Sequence, residues 1–386
     1  MPRRNRLGHR ARPRVLAVSG DVDAAVATIA GDFGAHAPAL VLVFAPEGAV
    51  LAPLTGRLKE AFGPGCHVVG CSSAGGFAFS GYRDDGVVAI AFPAAGFRAT
   101  AVWLRDLRQH MALDWIRTLR RTASAFGTEA PGWSRFGLLM IDGLCRREEL
   151  VAATVDAALG DLPVLGGSAG DGLRFGRTHL ALDGEDHPES AVFCLVASAF
   201  PIEEVIFDHF IPASERMVVT DALPEERVIL TINAEPAAEE YARLIGMPES
   251  ALGPRAFAAH PLLMRQAGRH VVRAIQGVTP QRGLSLMSSV EPGTTMTLGR
   301  PENPTESLAA RMGELGRTAL ILGFDCVLRR IALEEAGLGD SVGRIYREHR
   351  VAGFNTYGEQ HGGLHVNQTF VGLAFLEPDA RNAAAD

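Results

Sequence analysis

Apolar runs of strand length recur along the chain, separated by stretches with the 3.6-residue periodicity of amphipathic helices. The runs at 39–44 and 136–141 are each followed by an amphipathic stretch, a short second apolar run (68–69; 163–165) and a loop of small residues. The first loop reads Val69-Gly70-Cys71-Ser72-Ser73-Ala74-Gly75-Gly76, the second Leu165-Gly166-Gly167-Ser168-Ala169-Gly170-Asp171-Gly172. A turn and a further apolar run close each copy, at 86–92 and 191–197. The amino-terminal half thus reads as two copies of one αβ unit, about 36–100 and 134–211, offset by roughly 96 residues. Two copies imply a pseudo-symmetric pair.

The texture changes near Pro212. Alternating residues at 217–220 and 227–232 flank a turn at 223–225, a two-strand signal. Pro236 opens a helix over 237–244 that Gly246 stops. Strands are expected at 271–276, 284–288, 295–298 and 318–324, then a long helix over 327–350 interrupted at 337–339, and a last strand at 368–375. The expected fold class is mixed, between α/β and α+β: layered mixed sheets with helices outside, a pseudo-repeat in the amino-terminal half, and a second α+β domain. The domains are set at 14–211 and 212–378, with disordered tails at 1–13 and 379–386.

Composition narrows the function classes. With 47% hydrophobic and 21% charged residues over 386 positions, the chain is that of a globular protein, and no apolar stretch reaches membrane-spanning length. A net charge of -7 argues against nucleic-acid binding, which depends on clustered cations. The basic start runs into Asp21 and Asp23 without the apolar segment of a signal peptide, so a cytoplasmic location is expected. Five scattered cysteines without a CxxC pair indicate neither a disulfide framework nor a zinc site.

Several residues carry candidate chemistry. Gly166-Gly167-Ser168-Ala169-Gly170 has the spacing of a nucleophile elbow, which would pair Ser168 with Asp183 or Asp208 and a later histidine. Cys71 in its glycine loop is a candidate thiol nucleophile. The same loops, through Gly70, Cys71, Ser72, Gly167, Ser168, Ala169 and Asp171, offer backbone amides to an anionic ligand. The repetition of the loop weighs toward a shared backbone turn over catalysis. His209, His260 and His365 sit among apolar neighbours, the setting of a neutral imidazole that ligates a metal or haem, or of a packed core histidine. With no CxxCH motif, covalent haem attachment is excluded.

Longer stretches carry a resemblance. Val69-Gly70-Cys71-Ser72-Ser73-Ala74-Gly75, Gly166-Gly167-Ser168-Ala169-Gly170-Asp171, Ile232-Asn233-Ala234-Glu235-Pro236-Ala237 with Tyr241, and Gly353-Phe354-Asn355-Thr356-Tyr357-Gly358-Glu359 resemble the FIST family of bacterial sensory proteins over nearly the whole chain. Within it, Phe257-Ala258-Ala259-His260-Pro261, 272–276, 322–329, 357–360 and 365–369 look similar to the NosP branch, nitric-oxide-sensing haem proteins. The resemblance implies a reversibly bound haem b, with His209 as first axial candidate and His260 and His365 following. It implies ligand-site roles for Tyr357 and Glu359 and no catalytic step; Arg273 and Arg329 are candidate propionate partners, since a guanidinium pairs carboxylates bidentately, or else members of exposed or structural ion pairs. Nitric oxide would be the signal, and a histidine kinase, diguanylate cyclase or phosphodiesterase the regulated partner; a homo-oligomer is possible. Two other readings stay open: a haem-free sensor of a small molecule such as an amino acid, and a hydrolase using Ser168 or Cys71.

Overall fold

The computed structural model describes residues 11–46, 48–109, 111–127, 132–266 and 268–377. The expected tails fall outside these residues except at 11–13, where Ala11 is buried in the main core.

The repeat is threefold. The first unit runs β1 (Arg14–Val18), α1 (Val22–Gly34), β2 (Pro38–Ala45), α2 (Leu51–Phe62), β3 (His67–Ser72), a hairpin β4 (Gly76–Ala78) and β5 (Gly81–Arg83), and β6 (Val87–Pro93). The second repeats it as β7 (Phe97–Leu104), α3 (Ala112–Phe126), β8 (Ser134–Ile141), α4 (Glu148–Leu159), β9 (Val164–Ser168), hairpin β10 (Leu180–Leu182) and β11 (Glu185–Asp186), and β12 (Ala191–Ser198). The third starts with β13 (Ile202–Phe207), and an insertion then separates it from its first helix. The insertion comprises β14 (Phe210–Leu223), β15 (Val228–Ile232), β16 (Glu235–Pro236), α5 (Ala237–Leu244), α6 (Pro254–Ala259), β17 (Leu262–Gln266), β18 (Arg269–Arg273), β19 (Ile275–Val278), β20 (Leu284–Leu286) and β21 (Thr295–Pro301). The unit resumes with α7 (Pro304–Gly313), β22 (Thr318–Cys326), α8 (Val327–Glu335), α9 (Gly339–His349), β23 (Val351–Thr356), hairpin β24 (Glu359–His361) and β25 (Leu364–Val366), and β26 (Phe370–Leu376). The units are therefore phased from β1, β7 and β13, one strand and one helix earlier than the expected 36–100 and 134–211. The missed starts read weakly because β1 buries one residue and the three that β7 buries stand four and three positions apart, without the alternation of a strand.

Each unit makes a sheet in the order first strand, last strand, second strand, third strand, and each is completed by the hairpin of another unit. Hairpin β10–β11 of the second unit pairs with β3 of the first, β24–β25 of the third with β9 of the second, and β4–β5 of the first with β23 of the third. Where the third strands end, the chains meet in a closed ring. The Gly170 amide donates to the Ser72 carbonyl at 3.0 Å, Tyr357 to Ser168 at 3.1 Å, and Ala74 to Asn355 at 2.9 Å. Ser72, Ser168 and Asn355 are thus equivalent, and their own amides donate to His179, Gly358 and Gly75 at the roots of the exchanged hairpins.

The inner faces of the three sheets share one core rich in phenylalanine. Phe44 of the first unit stacks on Phe354 of the third at 4.5 Å, and Phe375 of the third meets Phe92, Phe97 and Phe136 at 5.5–5.6 Å. The outer faces are covered by helices whose apolar stripes face them: α1 buries Ala25, Ile29 and Phe33, four residues apart, and starts where Asp21 caps the Ala24 amide. The insertion forms a curled sheet whose edge strands β18 and β19 are joined by Ala274 alone. The run 271–276, expected as one strand, is thereby split between opposite edges. The expected break at 337–339 separates α8 from α9, and the helix at 237–244 lies where its Pro and Gly signals put it.

Close packing at the ring demands glycine. A Cβ at Gly166 would stand 1.7 Å from the Leu139 carbonyl oxygen, and one at Gly353 1.8 Å from that of Gly323, whereas at Gly70 the nearest atom is the side-chain Cδ2 of Leu51 at 3.0 Å. Gly166→Ala and Gly353→Ala are each expected to destabilise by about 3 kcal/mol or more, and Gly70→Ala by about 1 kcal/mol. Urea titrations of the three variants check the order; equal losses would refute the packing argument.

Candidate functional site

The duplicated loops do not open to solvent. Ser72, Ser73, Ser168 and Ala169 are buried, and the amides of all four donate to backbone carbonyls of the chain. Asp171 accepts from the amides of Phe175, Gly176 and Arg177 and from the Tyr357 hydroxyl. Burial, which acts to raise its pKa, is outweighed by these donors, and the carboxyl is held low. Asp171 and Tyr357 therefore shape the loop at 171–177. The Cys71 thiol donates to the Ser72 carbonyl at 3.3 Å, and burial pushes its pKa well up, away from the thiolate a nucleophile needs. Ser168 Oγ accepts from Gln360 Nε2 at 2.8 Å, while Asp183 is engaged by His67 and Lys59 and Asp208 by the Phe210 amide. The strained left-handed backbone of a nucleophile elbow is absent at Ser168.

The histidines and arginines fall into two groups. In the first, Arg329 on α8 is fully buried. Its Nη1 donates to Asp325 Oδ1 at 2.7 Å, and its guanidinium lies over the Phe207 ring at 5.1 Å. The Tyr82 and Tyr346 hydroxyls donate to Asp325 Oδ2 at 2.5 and 2.8 Å, so the carboxylate is saturated. Arg329 Nε and Nη2 find no hydrogen-bond partner among the described residues. His209 joins this group: its ring packs on Phe210 at 4.2 Å, and its Nδ1 is sealed without a partner. Burial, then the Arg329 charge, pushes its pKa down to about 3, so the imidazole is neutral.

The second group centres on His365. Gln360 Nε2 bridges His365 Nδ1 at 3.1 Å to Ser168, while His365 Nε2 has no partner within hydrogen-bond geometry. Burial pushes this histidine down to about 4. Arg273 donates from Nη1 to the His365 carbonyl at 3.4 Å and from Nη2 to Gln266 Oε1 at 2.9 Å, leaving Nε unpartnered among the described residues. Burial lowers its pKa to about 10.

Phe210, Leu263, Val272, Ala274 and Met287, with Phe175 and Leu328 against them, form the apolar cluster that links the groups, reaching His209 through Phe210 and the His365 neighbourhood through Met287. Phe175 stacks on Tyr357 at 4.5 Å from a left-handed backbone at φ +50°, an uncommon conformation for a bulky residue. His260 stands apart. No hydrogen bond, ion pair or ring contact among the described residues joins its ring to either group, although its carbonyl accepts from Tyr241.

Sequence reasoning missed a buried ion cluster beside the second group. Arg227 Nη2 meets Glu148 Oε2 at 2.5 Å and Glu149 Oε2 at 2.6 Å, its Nη1 donates to the Met287 carbonyl, and Glu149 also accepts from the Ser289 amide at 2.9 Å. The acidic first turn of α4 was visible at 148–149, but its partner lies 79 and 78 positions away. Glu359, expected in a ligand loop, is fully buried. It accepts from the hydroxyls of Thr356 and Thr369 and from the Thr369 amide, and burial pushes its carboxyl up to about 8.

Three αβ units interlock through exchanged hairpins, and a sealed cluster of neutral histidines and underpaired arginines lies at the seam between them and the insertion. The FIST N domain matches residues 39–235 and the FIST C domain residues 237–361. The chain belongs to the FIST family, whose domains are the sensory parts of signal-transduction proteins. No curated protein matches it. No helix among the described residues is long and apolar enough to cross a membrane.

The buried titrations have opposite signs. Unfolded histidines bind protons below about 6.5, whereas folded His209 and His365 resist until about 3 and about 4. Their contribution is full above 6.5 and is lost as pH falls toward the folded values. Glu359 contributes fully below its ordinary 4.5 and loses that contribution as pH rises to about 8. Glu359→Gln keeps partners for both hydroxyls, which rotate to suit. It is expected to raise Tm relative to the parent at pH 8 and leave it unchanged near pH 4.5. A Tm difference independent of pH would contradict this assignment.

Proposed function

We propose that the chain is a haem-binding nitric oxide sensor, holding a b-type haem at the apolar cluster between the His209 and His365 groups. The observation that carries this reading is the coincidence of unpartnered polar atoms. His209, His365, Arg273 and Arg329 each bear a buried nitrogen without a hydrogen-bond partner among the described residues, and all four border a single apolar cluster or its flank.

The donor set fits such a group. An axial ligand has to be a neutral imidazole in apolar surroundings, and burial holds both His209 and His365 neutral. Carboxylate side arms are recognised by guanidinium forks, and Arg329 offers Nε and Nη2, an adjacent pair of donors. Bound haem would supply the iron that takes nitric oxide. The chain's own part is to fix the ring, exclude water through Phe210, Leu263 and Met287, and respond through Phe175. That ring covers the cluster and stacks on Tyr357, whose amide belongs to the ring of hydrogen bonds joining the three units. Displacement of Phe175 relieves its left-handed backbone and unstacks the Tyr357 ring while the Tyr357 amide stays in place, so that occupancy of the cluster is felt beside the junction of all three sheets. Output then passes to a partner, a histidine kinase or a cyclic-di-GMP cyclase or phosphodiesterase, in the cytoplasm. The Arg329 fork also fits the carboxylate of a small molecule such as an amino acid, which makes a haem-free sensor the second reading.

Absorption spectra of the haem-reconstituted protein, ferric and ferrous, with and without nitric oxide, test the proposal in the parent and in His209→Ala, His260→Ala and His365→Ala. A stoichiometric Soret band that shifts with nitric oxide and collapses in His209→Ala is expected. No saturable band in the folded parent would sink the haem reading and leave the small-molecule one.

A further inference from the structure

A cleft of about 620 Å³ opens between the first and second units and shares no residue with the site above. Its volume is within the range of about 300–1,000 Å³ typical of small-molecule sites. Four consecutive residues of β7, Phe97 to Thr100, line it. Successive strand residues face opposite sides, so a cleft touching all four runs along the edge of the strand. β7 is an edge strand, paired among the described residues with β12 alone, so the hydrogen-bonding groups on its other side point into this space.

The lining mixes polar and apolar surface about equally, and Arg121 stands at the rim. Phe97 is fully buried and stacked on Phe200 at 5.6 Å, which fixes the floor. Phe126 from the last turn of α3 forms a wall, its ring held by the Arg135 guanidinium at 5.6 Å. Arg135 Nε is sealed without a hydrogen-bond partner among the described residues. At the rim, Arg121 is exposed and makes no hydrogen bond or ion pair among the described residues; Arg98 stands on the β7 lip. Thr100 and Thr122 also line the cleft, and no acidic residue among the described residues does, although the chain carries a net charge of -7.

We infer that this cleft is a second ligand site, selective for an amphiphilic anion: one carboxylate or sulfonate on the Arg121 guanidinium, with an aryl or alkyl body laid against Phe126 and the small residues Ala94, Ala99 and Ala125. A guanidinium recognises such an oxyanion by paired charge-assisted hydrogen bonds. The apolar body gains by leaving water against the Phe126 ring and the small side chains beside it. A cation of the same shape meets the arginines and is repelled. The site is independent of the haem reading.

The test is a fluorescence titration of the full chain with 8-anilinonaphthalene-1-sulfonate, with decanoate and decylamine as competitors. One saturable site, displaced by decanoate and not by decylamine, is expected. Arg121→Glu, an exposed position, weakens it by about tenfold or more, Ala125→Trp blocks it by filling the cleft, and His209→Ala leaves it unchanged. Circular dichroism confirms that each variant is folded. Unchanged affinity in both Arg121→Glu and folded Ala125→Trp, the absence of saturable binding, or equal weakening in His209→Ala would each overturn the assignment.

Discussion

The structure depends on a ring of three hydrogen bonds, Gly170 to Ser72, Tyr357 to Ser168 and Ala74 to Asn355, where the three units meet. These are buried peptide groups, and a buried peptide group without a partner costs about 1–3 kcal/mol. Each unit satisfies a neighbour's carbonyl, and none satisfies its own. Exchange of the hairpins follows the same rule one strand further out: the third strand of every sheet finds its outer partner only in another unit. No unit is therefore complete alone. The shared phenylalanine core, the exchanged hairpins and the ring all form together or not at all, so the three units are bound into one cooperative structure despite their repetition.

That constraint also explains where the candidate site lies. The insertion enters between β13 and the first helix of the third unit, where the other units carry only a short link. Its curled sheet packs beside the ring without joining it, which makes a seam between a tightly determined body and an added layer. Polar groups without partners collect there: Arg329, His209, Arg273 and His365. The buried Arg227 beside them is matched, between Glu148 and Glu149. A fully buried guanidinium with two idle donors is costly to maintain in an empty fold, and an occupant that pairs them gains what the fold forgoes.

Much of this was legible in the sequence, and the exceptions have physical causes. The doubled loop, the mixed fold class, the helix at 237–244 and the family were readable because glycine, proline and periodicity act locally. The third copy of the loop was not. At the ring positions it substitutes Asn355 and Tyr357 for small residues, and the insertion stretches its spacing, so that Gly353 alone preserves the signature of Gly70 and Gly166. The glycine loops read as ligand sites because exposed amides and hydrogen-bonded amides look the same in one dimension. Only the exchanged hairpins reveal that these amides are already engaged. The histidines could be chosen by their apolar neighbours, but the separation of His260 from His209 and His365 is a tertiary fact, as is the pairing of Arg227 with α4.

Ring and seam meet at Tyr357. Its amide is one of the three ring donors, its hydroxyl holds Asp171 and through it the loop at 171–177, and its face carries Phe175 over the apolar cluster. A ligand shifts an equilibrium only by its differential affinity for two states, which requires one element to differ between them. Phe175 has the properties of such an element: an aromatic side chain on a left-handed backbone, between exposed neighbours at Arg174 and Gly176, against a cluster whose polar border is underpaired. The Tyr357 amide, by contrast, cannot leave the ring without exposing a buried carbonyl at Ser168. Movement in the covering loop is therefore cheap and movement in the ring is expensive, and Tyr357 transmits between them as a lever fixed at one end.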